Sequence, residues 1–169
     1  MIENKNFVLR KWTLDDSKLL AENANNIKIW NNVTDAFPYP YTEQDAIDYI
    51  SSVMNEEKQL NFAIAINNNI IGGIGIVPRN DVYRVTAEIG YWLAEQYWGM
   101  GIMQKAVKEV TNHIFNNFEI IKIFAGVYEY NTQSMKVLDK AGFIKEAILK
   151  KGAVKNNKIV DLHYYSLFK

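Results

Sequence analysis

The stretch Gln96-Tyr97-Trp98-Gly99-Met100-Gly101 decides how the rest of the chain is interpreted. It lies between a strand-like stretch, Thr86–Leu93, and a helix-like stretch, Ile102–Phe115. A strand that ends in a Gly-x-Gly loop and opens a helix commonly binds phosphate, because the loop N–H groups and the helix N-terminus attract an anion. The first turns of this helix carry Lys105 and Lys108 and no acidic residue, although acidic residues usually complement that end of the helix dipole. The pattern predicts a bound anion, which we interpret as a cofactor pyrophosphate.

Two other phosphate-binding motifs are excluded by the residues that follow the loop. A P-loop requires Lys and then Ser or Thr directly after its second glycine, whereas Ile102 and Met103 follow here. A dinucleotide-binding fingerprint requires a third glycine at the position that Gln104 occupies. On the loop alone, the remaining alternative is a plain strand-to-helix turn whose glycines serve only the backbone geometry.

Composition bounds the class of protein. A chain of 169 residues predicts a single domain over residues 1–169. The net charge of zero gives no general reason to expect binding to nucleic acid or to a membrane. The absence of cysteine excludes disulfides, thiolate metal sites and a cysteine nucleophile. The polar N-terminus and the lack of a long apolar run lead us to expect a cytoplasmic protein.

The apolar spacing predicts a mixed sheet covered by helices. Glycines 72, 73 and 75 lie inside a predicted strand and indicate a β-bulge. Thr42 has Asp45 in the capping-box position of a helix, and Gly142 is a typical helix stop. The strands are predicted at Phe7–Trp12, Phe62–Ile66, Ile70–Val77, Thr86–Leu93, Lys122–Val127, Lys145–Lys150 and Ile159–Phe168. Four helices are predicted. The first is capped by Asp15 or Asp16 and ends at about Asn25, and the others are Thr42 to about Met54, Ile102–Phe115 and Gln133–Lys140.

Three ordered motifs resemble those of a known family. The pattern Gln96-x-x-Gly99-x-Gly101 resembles the acetyl-CoA pyrophosphate loop of the GNAT superfamily of N-acetyltransferases. Ala-Glu-Ile-Gly-Tyr-Trp-Leu at 87–93, followed by this loop, is similar to the branch containing the ribosomal-protein N-terminal (alanine/serine) acetyltransferases. Asn-Thr-Gln-Ser at 131–134, with Gly142-Phe143 after it, fits the next motif of that branch. The resemblance extends over nearly the whole chain, from Leu9 to the final strand.

The resemblance implies a GNAT fold and a way of holding acetyl-CoA. The mixed, mostly antiparallel sheet is expected to splay between its fourth and fifth predicted strands, which end at Leu93 and Val127. Pantetheine is expected to pair with backbone near Leu93, where an N–H would polarise the thioester carbonyl, and no metal is needed. The diphosphate is expected on N–H groups from Tyr97 to Ile102. The implied cofactor-binding residues are Trp92, Leu93, Ala94, Gln96, Tyr97, Trp98, Gly99, Met100, Gly101, Ile102, Asn131 and Ser134.

The same resemblance implies an enzyme that moves acetyl from acetyl-CoA to a primary amine. With no cysteine to carry the acetyl group, direct transfer is the simpler route, and Ser, Thr or Lys carriers stay open. The branch points to the α-amine of a protein or peptide N-terminus. The alternatives are a small-molecule amine, such as an aminoglycoside, a polyamine or an amino acid, or a non-catalytic acyl-CoA-binding module. Related proteins are often monomers or homodimers.

Glu88 is the candidate catalytic base. Strand alternation places it on one face with Gly90, whose missing side chain leaves room for a ligand. Related enzymes often have a carboxylate at this place, acting directly or through water. The alternatives are a hydrogen bond to the substrate, a solvent-facing glutamate, or a glutamate paired with a lysine.

Ser134 is the candidate acid for the departing thiolate, and its alternative role is to cap a turn. Asn131 is a candidate for binding pantetheine, for capping the next helix, or for both. Many GNAT enzymes have a tyrosine where this chain has Leu138, so Tyr128 and Tyr130 are alternatives and a dedicated acid is not required.

Aromatic residues before the second helix are candidates for the wall of the acceptor pocket: Trp30, Phe37 and Tyr39, with Tyr41 beside them. For each of them, packing of helices onto the sheet is the alternative. Weaker polar candidates for holding a cationic acceptor are Asp35, Asp81 and Tyr83. Neither His113 nor His163 has a second ligand at metal spacing, so the sequence predicts no metal site.

Overall fold

The computed structural model describes residues 1–4 and 6–169. The strands are β1 (Ile2–Asn4), β2 (Phe7–Arg10), β3 (Asn61–Ile66), β4 (Asn69–Pro78), β5 (Thr86–Leu93), β6 (Lys122–Tyr128), β7 (Ile144–Lys155) and β8 (Lys158–Phe168). The helices are α1 (Ser17–Ala24), α2 (Ile27–Trp30), α3 (Glu43–Val53), α4 (Ile102–Asn117) and α5 (Thr132–Ala141). Short 3-10 turns cover Leu14–Asp16, Asp81–Tyr83 and Glu95–Tyr97. No helix in the described residues is long and apolar enough to cross a bilayer.

The chain packs as two compact units, and β4 and β5 each run from one into the other. The first unit comprises Met1–Gly75 and Tyr91–Ile102, and the second comprises Ile76–Gly90 and Met103–Lys169. The strand order is β1-β2-β3-β4-β5 in the first unit and β4-β5-β6-β8-β7 in the second, so the sheet has eight strands. The predicted mixed α/β class with a mostly antiparallel sheet is confirmed. β5 pairs with β6 in parallel, whereas β1 with β2, β2 with β3, β3 with β4, β6 with β8 and β7 with β8 are antiparallel.

The parallel pair is short. Within the described residues, β5 and β6 are in register only from Thr86 opposite Lys122 to Glu88 opposite Phe124. Ile89 and Gly90 continue β5 without a partner in β6. The strands therefore separate after three residue pairs, as the predicted splay requires.

The core of the first unit forms where α1 and α3 cover the sheet. Trp12, Leu20, Ile50 and Ala63 are among its buried residues. The predicted cap of α3 is confirmed, since Asp45 N–H donates to Thr42 Oγ1 at 3.2 Å and Thr42 N–H donates to Asp45 Oδ2 at 2.8 Å. This reciprocal pair stabilises the helix start that aligns its apolar stripe with the core.

The first residues of the chain differ from the predictions in two ways. The short strand β1 was not predicted, because Ile2–Asn4 carries too little apolar pattern to be recognised. The helix begins after Asp16 as expected, but the Asp16 side chain does not cap it. Its carboxylate instead accepts two bonds from the Arg10 guanidinium, both at 2.7 Å, and one from Thr13 N–H at 2.9 Å. A bidentate arginine outcompetes a helix N–H for a largely buried carboxylate.

The glycines of β4 serve close packing, and the predicted bulge lies just before them. Ile64 pairs with Gly72 and Ala65 with Ile70, so the extra residue is Ile71. A Cβ atom on Gly72 would lie 2.5 Å from the Trp92 carbonyl oxygen. No side chain fits at that distance, so glycine allows β4 to approach the strand that leads into the Gly-x-Gly loop.

The second unit is built on α4 and a long terminal hairpin. Ala106, Val110 and Ile114 are fully buried on the predicted face of α4. Helix α5 ends at Gly142, whose φ of 99° is the left-handed conformation predicted for a helix stop. The hairpin of β7 and β8 extends beyond the predicted strands because Asn156 and Asn157 adopt positive φ and make a tight turn.

Candidate active site

The loop begins with a turn that uses its own N–H groups. Tyr97 N–H donates to Ala94 O and Trp98 N–H donates to Glu95 O, each at 3.0 Å. These two groups belong to the predicted diphosphate cradle, yet the turn already engages them. We therefore restrict the proposed cradle to N–H groups from Gly99 onward.

Gly99 and Gly101 give the loop its conformation. Their φ values are 77° and 72°, in the left-handed region, where a side chain costs about 1–2 kcal/mol. A Cβ atom on Gly99 would meet nothing within 4 Å, so the space in front of this residue is open. Their N–H groups donate to no atom of the described chain. A loop at a helix start, with open space in front of it and N–H groups that have no acceptor within the described chain, fits the pyrophosphate of acetyl-CoA.

The start of α4 has the charge pattern that the sequence predicted. Its first turn contains no acidic residue. Lys105 is half-buried and Lys108 is exposed, and neither forms an ion pair with a described residue. Both ammonium groups are thus available to an anion, and which of them contacts one stays a prediction.

At the end of β5, one backbone edge pairs with β4 and the other has no hydrogen bond from Leu93 N–H within the described residues. Ala94 N–H donates to Ile71 O at 2.8 Å, toward β4. Because successive N–H groups alternate along a strand, the Leu93 N–H points to the opposite edge. The Leu93 carbonyl accepts the Trp98 indole N–H at 2.7 Å. The Leu93 N–H is thus directed away from β4, and its role as donor to a thioester carbonyl stays a prediction.

Two side chains next to the loop bind helices of the first unit. Gln96 Nε2 donates to Asn23 Oδ1 at 3.2 Å. The Glu95 carboxylate accepts from Asn26 Nδ2 at 2.8 Å and forms an ion pair with Lys28. Gln96 was predicted as a cofactor ligand. One N–H of its amide is already engaged, so a cofactor contact through this side chain would use the second N–H, the oxygen or a different rotamer.

The aromatic residues of the predicted acceptor wall make three ring contacts. The Phe37 ring lies 6.1 Å from Trp92, edge to face, and the Trp30 ring lies 5.7 Å from Tyr39. The structure thus brings Phe37 together with a predicted cofactor residue, Trp92. Tyr41 is buried, and its ring centroid lies 4.7 Å from that of Phe37. It belongs to the core of the first unit, in agreement with the alternative that it packs helices onto the sheet.

Glu88 lies on the accessible face of β5. Its neighbours Ala87 and Ile89 are buried on the other face, while 42% of the Glu88 side chain is exposed. A Cβ atom on Gly90 would meet nothing within 4 Å, so the space beside Glu88 is open. The predicted division of the strand into a core face and a ligand face agrees with this burial.

Arg79 is a neighbour of Glu88 that the sequence analysis missed. Its Nη2 lies 3.7 Å from Glu88 Oε2, and its guanidinium lies over the Phe124 ring at 5.4 Å. The sequence predicts a lysine as the possible ion partner. Arg79 directly follows β4, and its N–H donates to Thr86 O at 2.9 Å, two residues before Glu88 in β5. Only this pairing brings Arg79 to Glu88, and the sequence carries no signal of it.

Asn131 caps α5. Its Oδ1 accepts the Ser134 N–H at 3.1 Å, which confirms the capping alternative. Asn131 Nδ2 makes no hydrogen bond within the described chain, so the same side chain keeps a donor for a ligand. Ser134 is half-buried in the first turn of α5, and Leu138 is fully buried in the core.

The weaker candidates are Asp35, Asp81 and Tyr83 for the acceptor and Tyr128 and Tyr130 for the acid, and the rings of the last two lie 5.7 Å apart. Asp35, Asp81 and Tyr83 are exposed. Burial raises the pKa of Tyr130, and the neighbouring Tyr128 raises it further. His163 Nδ1 is buried without a hydrogen-bond partner. No group of three or more potential metal ligands occurs among the described residues.

Comparison with known proteins decides the family. Residues 6–144 match the model of the acetyltransferase (GNAT) domain. This chain belongs to the GNAT acetyltransferase family. The motifs quoted from Glu88 to Phe143 all lie within the matched region. The protein is accordingly an acetyl-CoA-dependent N-acetyltransferase.

Individual relatives agree with this assignment. The uncharacterized N-acetyltransferase p20 of Bacillus licheniformis is 28% identical over 95% of this chain and 92% of its own. The ribosomal-protein-serine acetyltransferase of Escherichia coli is 33% identical over 55% of this chain and 53% of its own. The crystal structure of the microcin C7 self-immunity acetyltransferase MccE, in complex with acetyl-CoA and AMP, superposes with a TM-score of 0.84 at 22% identity, covering 98% of this chain and 94% of the other. That last likeness establishes the fold alone.

Proposed function

We propose that this GNAT enzyme acetylates the α-amine of a protein or peptide N-terminus. The observation that carries the proposal is the similarity of the motif from Ala87 to Gly101 to the ribosomal-protein branch, with the E. coli serine acetyltransferase among the relatives. The alternative is a small-molecule amine acceptor, and the experiment below separates the two.

The surroundings of Glu88 fit a weakly basic acceptor. At pH ~7.5, neutralising a lysine amine of pKa ~10.4 costs about 4 kcal/mol, whereas neutralising an α-amine of pKa ~7.8 costs roughly 0.5 kcal/mol. Arg79 lies 3.7 Å from the carboxylate, and a neighbouring cation disfavours the approach of a second one. A carboxylate that already has a cationic partner suits an acceptor of which about a third is already neutral at this pH.

We assign cofactor binding to the end of β5, the Gly-x-Gly loop and the starts of α4 and α5. Acetyl-CoA supplies the acetyl group as an activated thioester. We assign the pyrophosphate to the N–H groups of Gly99 and Gly101 and the first turn of α4, with Lys105 and Lys108 adding positive charge. Trp92, Leu93 and Ala94 are assigned to pantetheine, with Asn131 Nδ2 as a further donor. Tyr97, Trp98, Met100 and Ile102 shape the loop around these groups.

The proposed chemistry is direct transfer. The acceptor nitrogen attacks the thioester carbonyl carbon, a C–N bond forms and the C–S bond breaks. The Leu93 N–H stabilises the developing oxyanion. Glu88 accepts the proton of the amine, directly or through a water molecule, and releases it to solvent. Ser134 donates its hydroxyl proton to the departing thiolate and regains a proton from solvent. Trp30, Phe37 and Tyr39 line the acceptor side.

A mass-spectrometric acceptor screen tests this function. Purified protein with acetyl-CoA is offered peptides beginning with Ala, Ser or Met, the same peptides with blocked N-termini, and a set of polyamines, aminoglycosides and amino acids. We expect acetylation of free peptide N-termini and none of the blocked peptides. Preferential acetylation of a small amine would replace the proposed acceptor class. Tight acetyl-CoA binding without transfer to any amine would contradict an enzymatic role.

A further inference from the structure

Glu95 does not belong to the predicted machinery, yet it is the most heavily engaged carboxylate beside the loop. It begins the turn Glu95–Tyr97 that leads into the Gly-x-Gly loop. Its carboxylate accepts a hydrogen bond from Asn26 Nδ2 at 2.8 Å and pairs with Lys28. The adjacent Gln96 adds a bond to Asn23 at 3.2 Å. All of these partners belong to the first unit.

The partners of Glu95 are themselves fixed by local structure. Asn26 caps α2, since its Oδ1 accepts the Lys28 N–H at 2.8 Å, and its Nδ2 remains free to reach Glu95. One asparagine therefore starts the helix with its oxygen and holds the loop with its nitrogen. Helix α2 ends at Trp30, which we assign to the acceptor side.

We propose that Glu95 is a positioning residue that anchors the pyrophosphate loop to α2 and thereby sets the affinity for acetyl-CoA. This inference rests on the assignment of the loop to the pyrophosphate, although it does not depend on the identity of the acceptor. The anchor limits the freedom of the turn before Gly99, so the N–H groups of the loop are preorganised before the ligand arrives.

The sign of the effect separates anchoring from simple electrostatics. Glu95 is an acidic residue next to a loop that binds a polyanion. If only its charge mattered, removing the charge would strengthen acetyl-CoA binding, and removing the Lys28 charge would weaken it. If Glu95 anchors the loop through Lys28, loss of either partner weakens binding, and loss of both is no worse than loss of one.

The test measures CoA binding by isothermal titration calorimetry in Glu95→Gln, Lys28→Gln and the double variant. The matched control is Glu146→Gln in the second unit. Glu146 is also 39% exposed in its side chain, and it likewise pairs with a lysine, Lys122, and accepts from a second side chain, Ser166. We expect each first-unit variant to bind CoA about two- to fivefold more weakly, the scale of an exposed ion pair.

The outcomes distinguish this proposal from the proposed function. Tighter or unchanged CoA binding by Glu95→Gln would overturn the anchor, as would an equal loss in the Glu146→Gln control. An additive loss in the double variant would also contradict it. Thermal unfolding of the unliganded variants checks that each one is folded, and a milder variant, Glu95→Asp, replaces any that is not. If wild-type protein binds CoA but acetylates no peptide, the acceptor assignment fails while the anchor stands.

Discussion

At the scale of single residues, Glu88 and Arg79 illustrate how one carboxylate can be accessible and paired at once. The 3.7 Å separation and the exposure of both side chains make this a loose ion pair that contributes little to stability. A loose pair leaves the carboxylate able to take a proton from an amine. The Phe124 ring under the guanidinium keeps Arg79 beside it without a tight bond.

Glu88→Gln is expected to lower kcat about 10- to 100-fold, because the amide cannot accept the proton of the acceptor amine. The affinity for acetyl-CoA is expected to stay unchanged. Steady-state kinetics with the acceptor found in the screen, together with calorimetry, measure both quantities. Glu119→Gln, at an exposed position of the second unit, is the control. A kcat equal to that of wild type would remove Glu88 from the mechanism.

Gly101→Val is expected to weaken acetyl-CoA binding by about tenfold or more. A branched side chain at a φ of 72° costs about 1–2 kcal/mol of strain and crowds the position assigned to the diphosphate. Gly142→Val is the control, since Gly142 also has positive φ but ends α5. We expect this control to lower the melting temperature and to leave affinity intact. If Gly101→Val and Gly142→Val bind acetyl-CoA with equal affinity, Gly101 serves only the backbone conformation.

At the scale of secondary-structure elements, the start of α5 combines a structural and a proposed binding role in one side chain. The oxygen of Asn131 caps the helix, and its nitrogen is free. A cap contributes about 1 kcal/mol, which is independent of any ligand. The two roles can therefore be separated by substitution.

Asn131→Ser keeps a cap oxygen and loses the amide donor, whereas Asn131→Ala loses both. We expect the serine variant to unfold within about 0.5 kcal/mol of wild type and the alanine variant to be about 1 kcal/mol less stable. Both are expected to bind CoA about threefold to tenfold more weakly, as loss of one hydrogen bond predicts. Urea unfolding and calorimetry give the two measurements. A serine variant with wild-type affinity would restrict Asn131 to capping.

The elements that the sequence predicted well are those with a local physical cause. The strand Thr86–Leu93 alternates polar and apolar residues, and Thr42 with Asp45 is a local cap, so both could be recognised directly. The glycines predict a bulge in β4, but its position at Ile71 depends on the partner strand. Arg79 likewise reaches Glu88 only through pairing of β4 with β5. Features of this kind need knowledge of register, which the sequence alone does not contain.

The features of the candidate site also separate into those with a local cause and those that depend on the folded structure. The open space at Gly90, the capping by Asn131 and the accessible face of Glu88 follow from local rules that the sequence expresses. The use of the Tyr97 and Trp98 N–H groups inside the turn does not, because a short 3-10 turn carries no distinctive pattern. The catalytic and cofactor-binding roles of these residues stay predictions.

At the scale of the whole molecule, ligand binding should be visible as a gain in stability. A ligand that binds only the folded state adds about 2.7 kcal/mol at one hundred times its Kd. For a chain of this size, we expect CoA at that concentration to raise the melting temperature by about 5–10 °C. Differential scanning calorimetry gives the shift, and adenosine at the same concentration is the control. An absent shift would contradict binding of CoA by the folded protein.

The backbone edge at the end of β5 has a consequence for amide exchange. The Ala94 N–H is bonded to Ile71 O, so its hydrogen should exchange slowly with deuterated solvent whether or not CoA is bound. The Leu93 N–H points the other way and should exchange quickly in the free protein. When CoA is added, protection should appear at Leu93 and leave its neighbour unchanged, so two adjacent amides report separately on the fold and on the ligand.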